Sequence, residues 1–337
     1  MRRAFLTIGL LAVLLASCAP ATLPVPSPPM PTLLPATFTP FVPATATFTL
    51  TPSLAATITP TPLPPISRVL VISVDGLRPE AVGLAPMPVL QGLMSQGAYT
   101  LHAQTVYPSA TLPAHASMLT GLCPAQHGVD WNDYLPERGR ANGDSVFDIA
   151  HRAGLKTVMV FGKKKLVQIN DEDAVDALEF VNDRDSVVAE RAAPLLAADF
   201  DLALVHLPLV DLLGHGYGWL SDDQLIGAVH ADEAIGLLLE ALDAAGLRGD
   251  TLVIVTADHG GHDSSHGSKL PEDMTVPWVV VGPRIVPQEL SGPVNIVDTA
   301  ATILWALGLP LPQGMAGLPV TEAFGEAPTL RLPDRCP

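Results

Sequence analysis

Positive charge is scarce in this chain of 337 residues: 18 Lys and Arg stand against 34 Asp and Glu, a formal net charge of −16. Affinity for a nucleic-acid polymer comes mostly from neutralising phosphates, so this balance excludes such a partner. Any phosphate on a smaller substrate has to be met locally, by metal. No apolar run reaches the length of a bilayer-spanning helix; the one at the N-terminus, Ala4 to Ala16, is too short. Cysteine is limited to Cys18, Cys123 and Cys336. An exported chain could join the last two, but nothing in the sequence shows them adjacent, and two unpaired thiols are expected. From Ala19 to Pro65 there is no charged residue at all.

What is present at the N-terminus fits export. Met1-Arg2-Arg3 followed by the short apolar run has the charge order of a secretory signal. Leu15-Ala16-Ser17-Cys18 resembles the bacterial lipobox, which implies a signal peptide over 1–17, acylation of Cys18 and a lipid anchor on the outer face of a cell membrane. Residues 18–65, rich in Pro and Thr, block helix and sheet ladders and read as an extended tether. Residues 66–337 are long enough for one sizeable α/β core.

Within that stretch, Val69 to Val74, Thr157 to Phe161, Leu202 to Leu207, Thr251 to Val255 and Val276 to Val281 are short apolar runs of the kind seen in strands buried on both faces. Helical stretches lie among them: Ser145 to Ala153, Ser186 to Ala197, Asp222 to Ala244 and, last, Val297 to Leu307. The alternation predicts an α/β fold with a mostly parallel central sheet and helices on both faces.

Chemistry gathers where these runs end. Asp75 follows the first run, at the sheet end where open α/β folds bind ligands. Thr256 to Gly267 packs Asp258, His259, His262, Asp263 and His266 into a glycine-rich loop, a donor set suited to a borderline divalent metal. Asp211 and His215 are four apart, so one turn of helix or a tight loop can aim both at one ion, and Gly214, Gly216 and Gly218 allow close backbone approach. Pro113 suits the first turn of a helix, which puts Thr111 at or near the N-cap: a helix cap, or a hydroxyl nucleophile facing an anion. His115 and His127 are read as structural. Lys163-Lys164-Lys165, the only basic cluster in an acidic domain, either draws an anionic substrate toward the site or is solvated surface, and the second reading is preferred, as charge runs usually are solvated.

Four ordered motifs resemble the alkaline phosphatase superfamily, and within it the type I phosphodiesterase/nucleotide pyrophosphatase branch. They are Val-Asp-Gly-Leu-Arg at 74–78, the segment from Tyr107 to Gly128, Asp-Leu-Leu-Gly-His at 211–215 and Ala-Asp-His-Gly at 257–260. The resemblance implies an alkaline-phosphatase-like fold and two divalent metal ions, Zn2+ in the family. Asp211, His215 and His266 would hold one; Asp75, Asp258, His259 and the Thr111 oxygen would hold the other. His262 is an alternative to His266, which is preferred because the segment after it resembles compact bacterial members. Asn132 falls where the family has an asparagine that binds a phosphoryl oxygen. Two Zn2+ and three aspartates leave about one unit of positive charge, which suits a phosphate ester. The implied reaction is attack by Thr111 on a small phosphate-ester or nucleotide substrate, then hydrolysis of the phosphothreonine. A phosphomonoesterase and a catalytically inactive tethered binding module are the alternatives; the missing Cys/Ser-x-Pro-x-Arg arrangement argues against a sulfatase. No protein partner is indicated.

Overall fold

Strands that bury both faces need apolar, β-branched side chains at every position, and the central strands here have them. The computed structural model describes residues 66–328 and 335–336; the expected signal peptide, Cys18 and the tether lie outside the described residues. Among the described residues eight strands occur in chain order: β1 (Arg68–Val74), β2 (Ala98–Gln104), β3 (Thr157–Phe161), β4 (Ala177–Phe180), β5 (Leu202–Leu207), β6 (Thr251–Thr256), β7 (Thr275–Val281) and β8 (Gln288–Glu289). They form one sheet in the order β4-β3-β5-β1-β6-β7-β2-β8. The pairings are parallel except β6 with β7 and β7 with β2. Every residue of β3, β5 and β6 is buried, as is β1 from Val69 onward, so this mostly parallel sheet is covered on both faces.

Register decides where the site forms. Val74 lies opposite Leu207, Ser73 opposite Thr256, and Phe161 opposite His206, so β1, β3, β5 and β6 end level with one another. The segments that leave them carry Asp75, Lys163, Asp211 and Asp258 to one edge of the sheet.

The helix Thr111–Thr120 is buried along its whole length. Its N-cap is Ala110, so Thr111 is the first helical residue, one position inside the expected cap. The helix Leu209–Tyr217 carries Asp211 and His215 on one face. The helix Asp185–Ala198 packs against both the long Asp222–Ala244 helix and β5. The expectation of two free thiols is corrected: Cys123 and Cys336 form a disulfide, their Cα atoms 5.2 Å apart. The C-terminal end returns to the Cys123 turn, a long-range proximity that sequence spacing does not encode.

Candidate metal centre

Asp75 is fixed from two sides. Its backbone N–H donates to Leu207 O (3.0 Å), and its Oδ2 accepts from Nε2 of His206 (2.8 Å) on β5. Gly76 follows with φ +73°, a conformation that favours glycine; a Cβ there would stand 3.0 Å from Cβ of Asp211. The Gly76 N–H donates to Oδ1 of Asp258 (3.1 Å), which also accepts from His259 N–H (3.0 Å). Two loops from neighbouring strands are thus joined through one carboxylate.

Each of the three aspartates keeps one oxygen aimed inward and unpaired. Oδ1 of Asp75, Oδ1 of Asp211 and Oδ2 of Asp258 are buried without a hydrogen-bond partner among the described residues. All three surround Nε2 of His259, at 3.4, 3.9 and 3.4 Å respectively. Buried carboxylate oxygens left bare are costly unless a cation meets them. Together with a facing imidazole they fit a divalent metal ion. The tightest grouping is Asp75, Asp211 and His259, with Asp258 adjoining it through its orphaned oxygen.

A second grouping consists of Asp211, His215 and His266. Nε2 of His215 and of His266 lie 3.5 and 3.6 Å from Oδ1 of Asp211. The three histidines of the two groups share one device. Nδ1 of His215 contacts Ser264 O (3.1 Å), Nδ1 of His259 contacts Gly260 O (2.7 Å) and Nδ1 of His266 contacts Ser109 O (2.9 Å). A carbonyl can only accept, so Nδ1 carries the proton and Nε2 presents a lone pair to the centre. His262 is placed elsewhere: its Nδ1 pairs with Oδ1 of Asp273 at 2.7 Å.

Lys163 corrects the reading of the lysine run as surface. Its Nζ lies 2.7 Å from Oδ2 of Asp75 and 2.5 Å from Oδ2 of Asp211, and donates to Oγ1 of Thr111 at 3.2 Å. Burial works against its charge, but Asp75, Asp211 and Asp258 outweigh that and raise its pKa above the ordinary lysine value. This ammonium adds one unit of positive charge among the three aspartates. Asp75 is buried, which opposes ionisation, yet Lys163 and His206 hold its carboxyl well below the usual range. Burial, with help from His259, lowers His266 to about 4, so its ring is neutral at ordinary pH and able to act as a ligand.

Thr111 is fully buried, its Oγ1 between Nζ of Lys163 (3.2 Å) and Nε2 of His259 (3.5 Å). Asn132 accepts from Leu112 N–H through Oδ1 (3.0 Å), which leaves its Nδ2 for another acceptor. Asn132, Lys163, Asp211, His215 and His266 line one cavity of about 400 Å³. His115 and His127 are buried and paired, His115 with Ser73 Oγ and Thr111 O, His127 with Ser117 Oγ. Burial lowers both to about 4. His115 nonetheless reaches to 3.4 Å from Oδ2 of Asp258.

Three contributors escape the sequence reading: His206, Lys163 and Trp219. A lone imidazole inside the apolar run of β5 had to be paired, and its partner is Asp75. The indole Nε1 of Trp219 donates to Gly76 O (2.9 Å), and a Cβ on Gly214 or Gly261 would stand 2.8 or 2.2 Å from its ring.

Residues 69–275 match the family described as Type I phosphodiesterase / nucleotide pyrophosphatase. Among curated relatives, human GPI ethanolamine phosphate transferase 2, catalytic subunit, is 27% identical over 286 residues, covering 77% of this chain and 28% of that protein. Human ectonucleotide pyrophosphatase/phosphodiesterase family member 1 is 27% identical over 223 residues, covering 58% of this chain and 24% of that protein. The chain therefore spans about a quarter of the length of the curated relatives it matches. Among solved structures, murine ectonucleotide pyrophosphatase/phosphodiesterase 5, an inactive variant in complex with AMP, has a TM-score of 0.61 at 16% identity, covering 73% of this chain and 96% of that one. That likeness shows a shared fold. The extent of the family match goes further: this chain belongs to the type I phosphodiesterase/nucleotide pyrophosphatase family.

Proposed function

We propose that the protein is an extracytoplasmic, metal-dependent hydrolase of phosphate esters, acting on phosphodiester or nucleotide pyrophosphate bonds through a phosphothreonine at a two-zinc site. One observation carries this reading: the unpaired oxygens of Asp75, Asp211 and Asp258 converge on Nε2 of His259, beside the hydroxyl of Thr111. Asp211, His215 and His266 would hold one ion, and Asp75, Asp258, His259 and Thr111 the other. When bound, the ions supply Lewis acidity toward the phosphoryl oxygens and the attacking hydroxyl.

The chain's own groups define the rest. Oγ1 of Thr111 gives up its proton and attacks phosphorus as the ester oxygen departs with the electrons of the broken bond, that proton passing by way of solvent to the departing oxygen, and water later cleaves the phosphothreonine. Nζ of Lys163, 3.2 Å from Oγ1, stabilises negative charge on that oxygen. Nδ2 of Asn132 is free to donate to a non-bridging phosphoryl oxygen. The AMP complex of the murine relative supports a nucleotide as substrate. The added charge of Lys163 favours a rival within the same chemistry, a phosphomonoesterase acting on a dianionic phosphoryl group.

The purified protein loaded with Zn2+ should hydrolyse bis-p-nitrophenyl phosphate, and Thr111→Ala should be nearly inactive with its metal content intact. Full activity in that variant excludes the covalent route; turnover of monoesters alone favours the rival; no turnover of any ester favours an inactive binding module. Export and a lipid on Cys18 are part of the same proposal. The lipobox-like Leu15-Ala16-Ser17-Cys18 supports them, as does the Cys123–Cys336 disulfide, since such bonds persist in oxidising compartments. Cys18→Ser should leave the membrane fraction.

A further inference from the structure

Three consecutive lysines leave the end of β3, and each meets a different environment. Lys163 is held by Asp75 and Asp211. The ammonium of Lys164 lies 4.5 Å from the centroid of the Tyr134 ring. Lys165 is half-buried and has no ion pair or hydrogen bond among the described residues. All three line the cavity that reaches Asn132, Asp211 and His266. Asp133 also lines it but is exposed and does not approach Lys165 within ion-pair distance.

Lys165 thus presents an unpaired, half-buried ammonium to the cavity; burial, then the neighbouring Lys163, lowers its pKa, and the more distant Asp75, Asp211 and Asp258 offset this only in part. Among the described residues no acidic side chain pairs with Lys165. The position is therefore suited to an anion that arrives from outside, next to the phosphoryl site.

We propose that the cavity beside Thr111 is a subsite for a second anionic group, a carboxylate or a phosphate, carried on the part of the substrate that is not under attack. Lys165 is the specificity-determining residue, with Lys164 at the rim. The inference rests on the phosphate-ester reading and narrows it to substrates that carry charge beyond the scissile phosphoryl group. A neutral or cationic substituent finds no matching partner at this position.

Four diesters with one leaving group separate the possibilities: ethyl, 2-carboxyethyl, 2-phosphoethyl and 2-aminoethyl p-nitrophenyl phosphate. The full-length wild type should favour the carboxyethyl or phosphoethyl ester over the ethyl ester by about tenfold or more in kcat/KM, the size expected of a charge-assisted contact. The better of the two identifies the anion. Lys165→Gln should abolish the preference, Lys165→Arg should keep it, and Lys165→Glu should turn it toward the aminoethyl ester. A wild type that treats ethyl and anionic esters alike, or a preference that survives Lys165→Gln, overturns the subsite. Calorimetric binding of 3-phosphonopropionate against propylphosphonate applies the same test without turnover. A chain that hydrolyses no ester but still prefers 3-phosphonopropionate, with the preference lost in Lys165→Gln, overturns the hydrolase reading and leaves the subsite standing.

Discussion

Nε2 of His206 lies 2.8 Å from Oδ2 of Asp75, in a contact closed to solvent on both sides. Nδ1 of the same ring accepts from the Gly162 N–H at 3.2 Å, so the proton sits on Nε2 and the ring donates to the carboxylate. The bond turns the other oxygen, Oδ1, toward His259. Partners behind a ligand commonly contribute about 10–100-fold in metal affinity. His206→Phe is expected to weaken Zn2+ binding by that order in a calorimetric titration, and unchanged affinity would remove His206 from the assembly of the centre.

Metal and proton compete for Nε2 of His259. Burial disfavours the imidazolium, but Asp258, Asp75 and Asp211 outweigh it and hold the pKa above the ordinary histidine value of 6.5. A raised pKa means that protonation begins at higher pH, so Zn2+ affinity should fall with acidity from above pH 6.5. His266, at about 4, adds nothing to this decline until much lower pH. Titrations between pH 8.5 and 5 check this, and an affinity that stays flat to pH 6 contradicts it.

Asp185 opens its helix in a fully buried position, with Oδ1 accepting from Leu209 N–H at 3.0 Å and Oδ2 unpaired. Burial pushes its carboxyl up to about 7, from an ordinary value of 3.8. Between those values the folded chain binds more protons than the unfolded one, so this group's contribution is full below pH 3.8 and lost as pH rises through 7. Asp185→Asn keeps an acceptor for Leu209 and removes the ionisation. Its melting temperature should exceed that of the wild type by several degrees at pH 8, with the gap narrowing steadily as pH falls toward 4; a gap that is absent or does not change with pH would refute the buried-acid account.

The Cys123–Cys336 bond closes a loop with a sequence separation of 213. Cross-links restrict the unfolded chain, typically by about 2–4 kcal/mol. Urea unfolding of the Cys123→Ser, Cys336→Ser double variant should show a loss of that size, and the wild type in reductant should match it. A variant as stable as the oxidised protein would show that the bond only records proximity.

Continuous apolar runs made β1, β3, β5, β6 and β7 legible to within a residue or so. β2 alternates buried and partly exposed residues around an exposed His102, and β4 and β8 have four and two residues, too few to set a period. Asp75, Asp211, His215, Asp258, His259 and His266 are marked in the sequence because metal-binding chemistry restricts the residue types, and the structure brings them to one edge. Lys163 is not marked, because a lysine run looks the same on a surface as in a cleft. Its place depends on β3 lying beside β5, a register that local composition does not carry. The choice between His262 and His266 likewise depended on Asp273, eleven residues further on, being near enough to take the former.

The indole of Trp219 occupies the space left by the bare backbones of Gly214 and Gly261 while its nitrogen grips the Gly76 carbonyl. Three segments that each present donor atoms are thereby clamped by a single ring. An incoming ion would meet donors already in position and would spend little of its binding free energy on ordering loops. Selectivity among metals then follows from how well an ion's preferred radius and geometry suit donors held in this way, and a Cβ on Gly261, 2.2 Å from the indole, would force that clamp to shift.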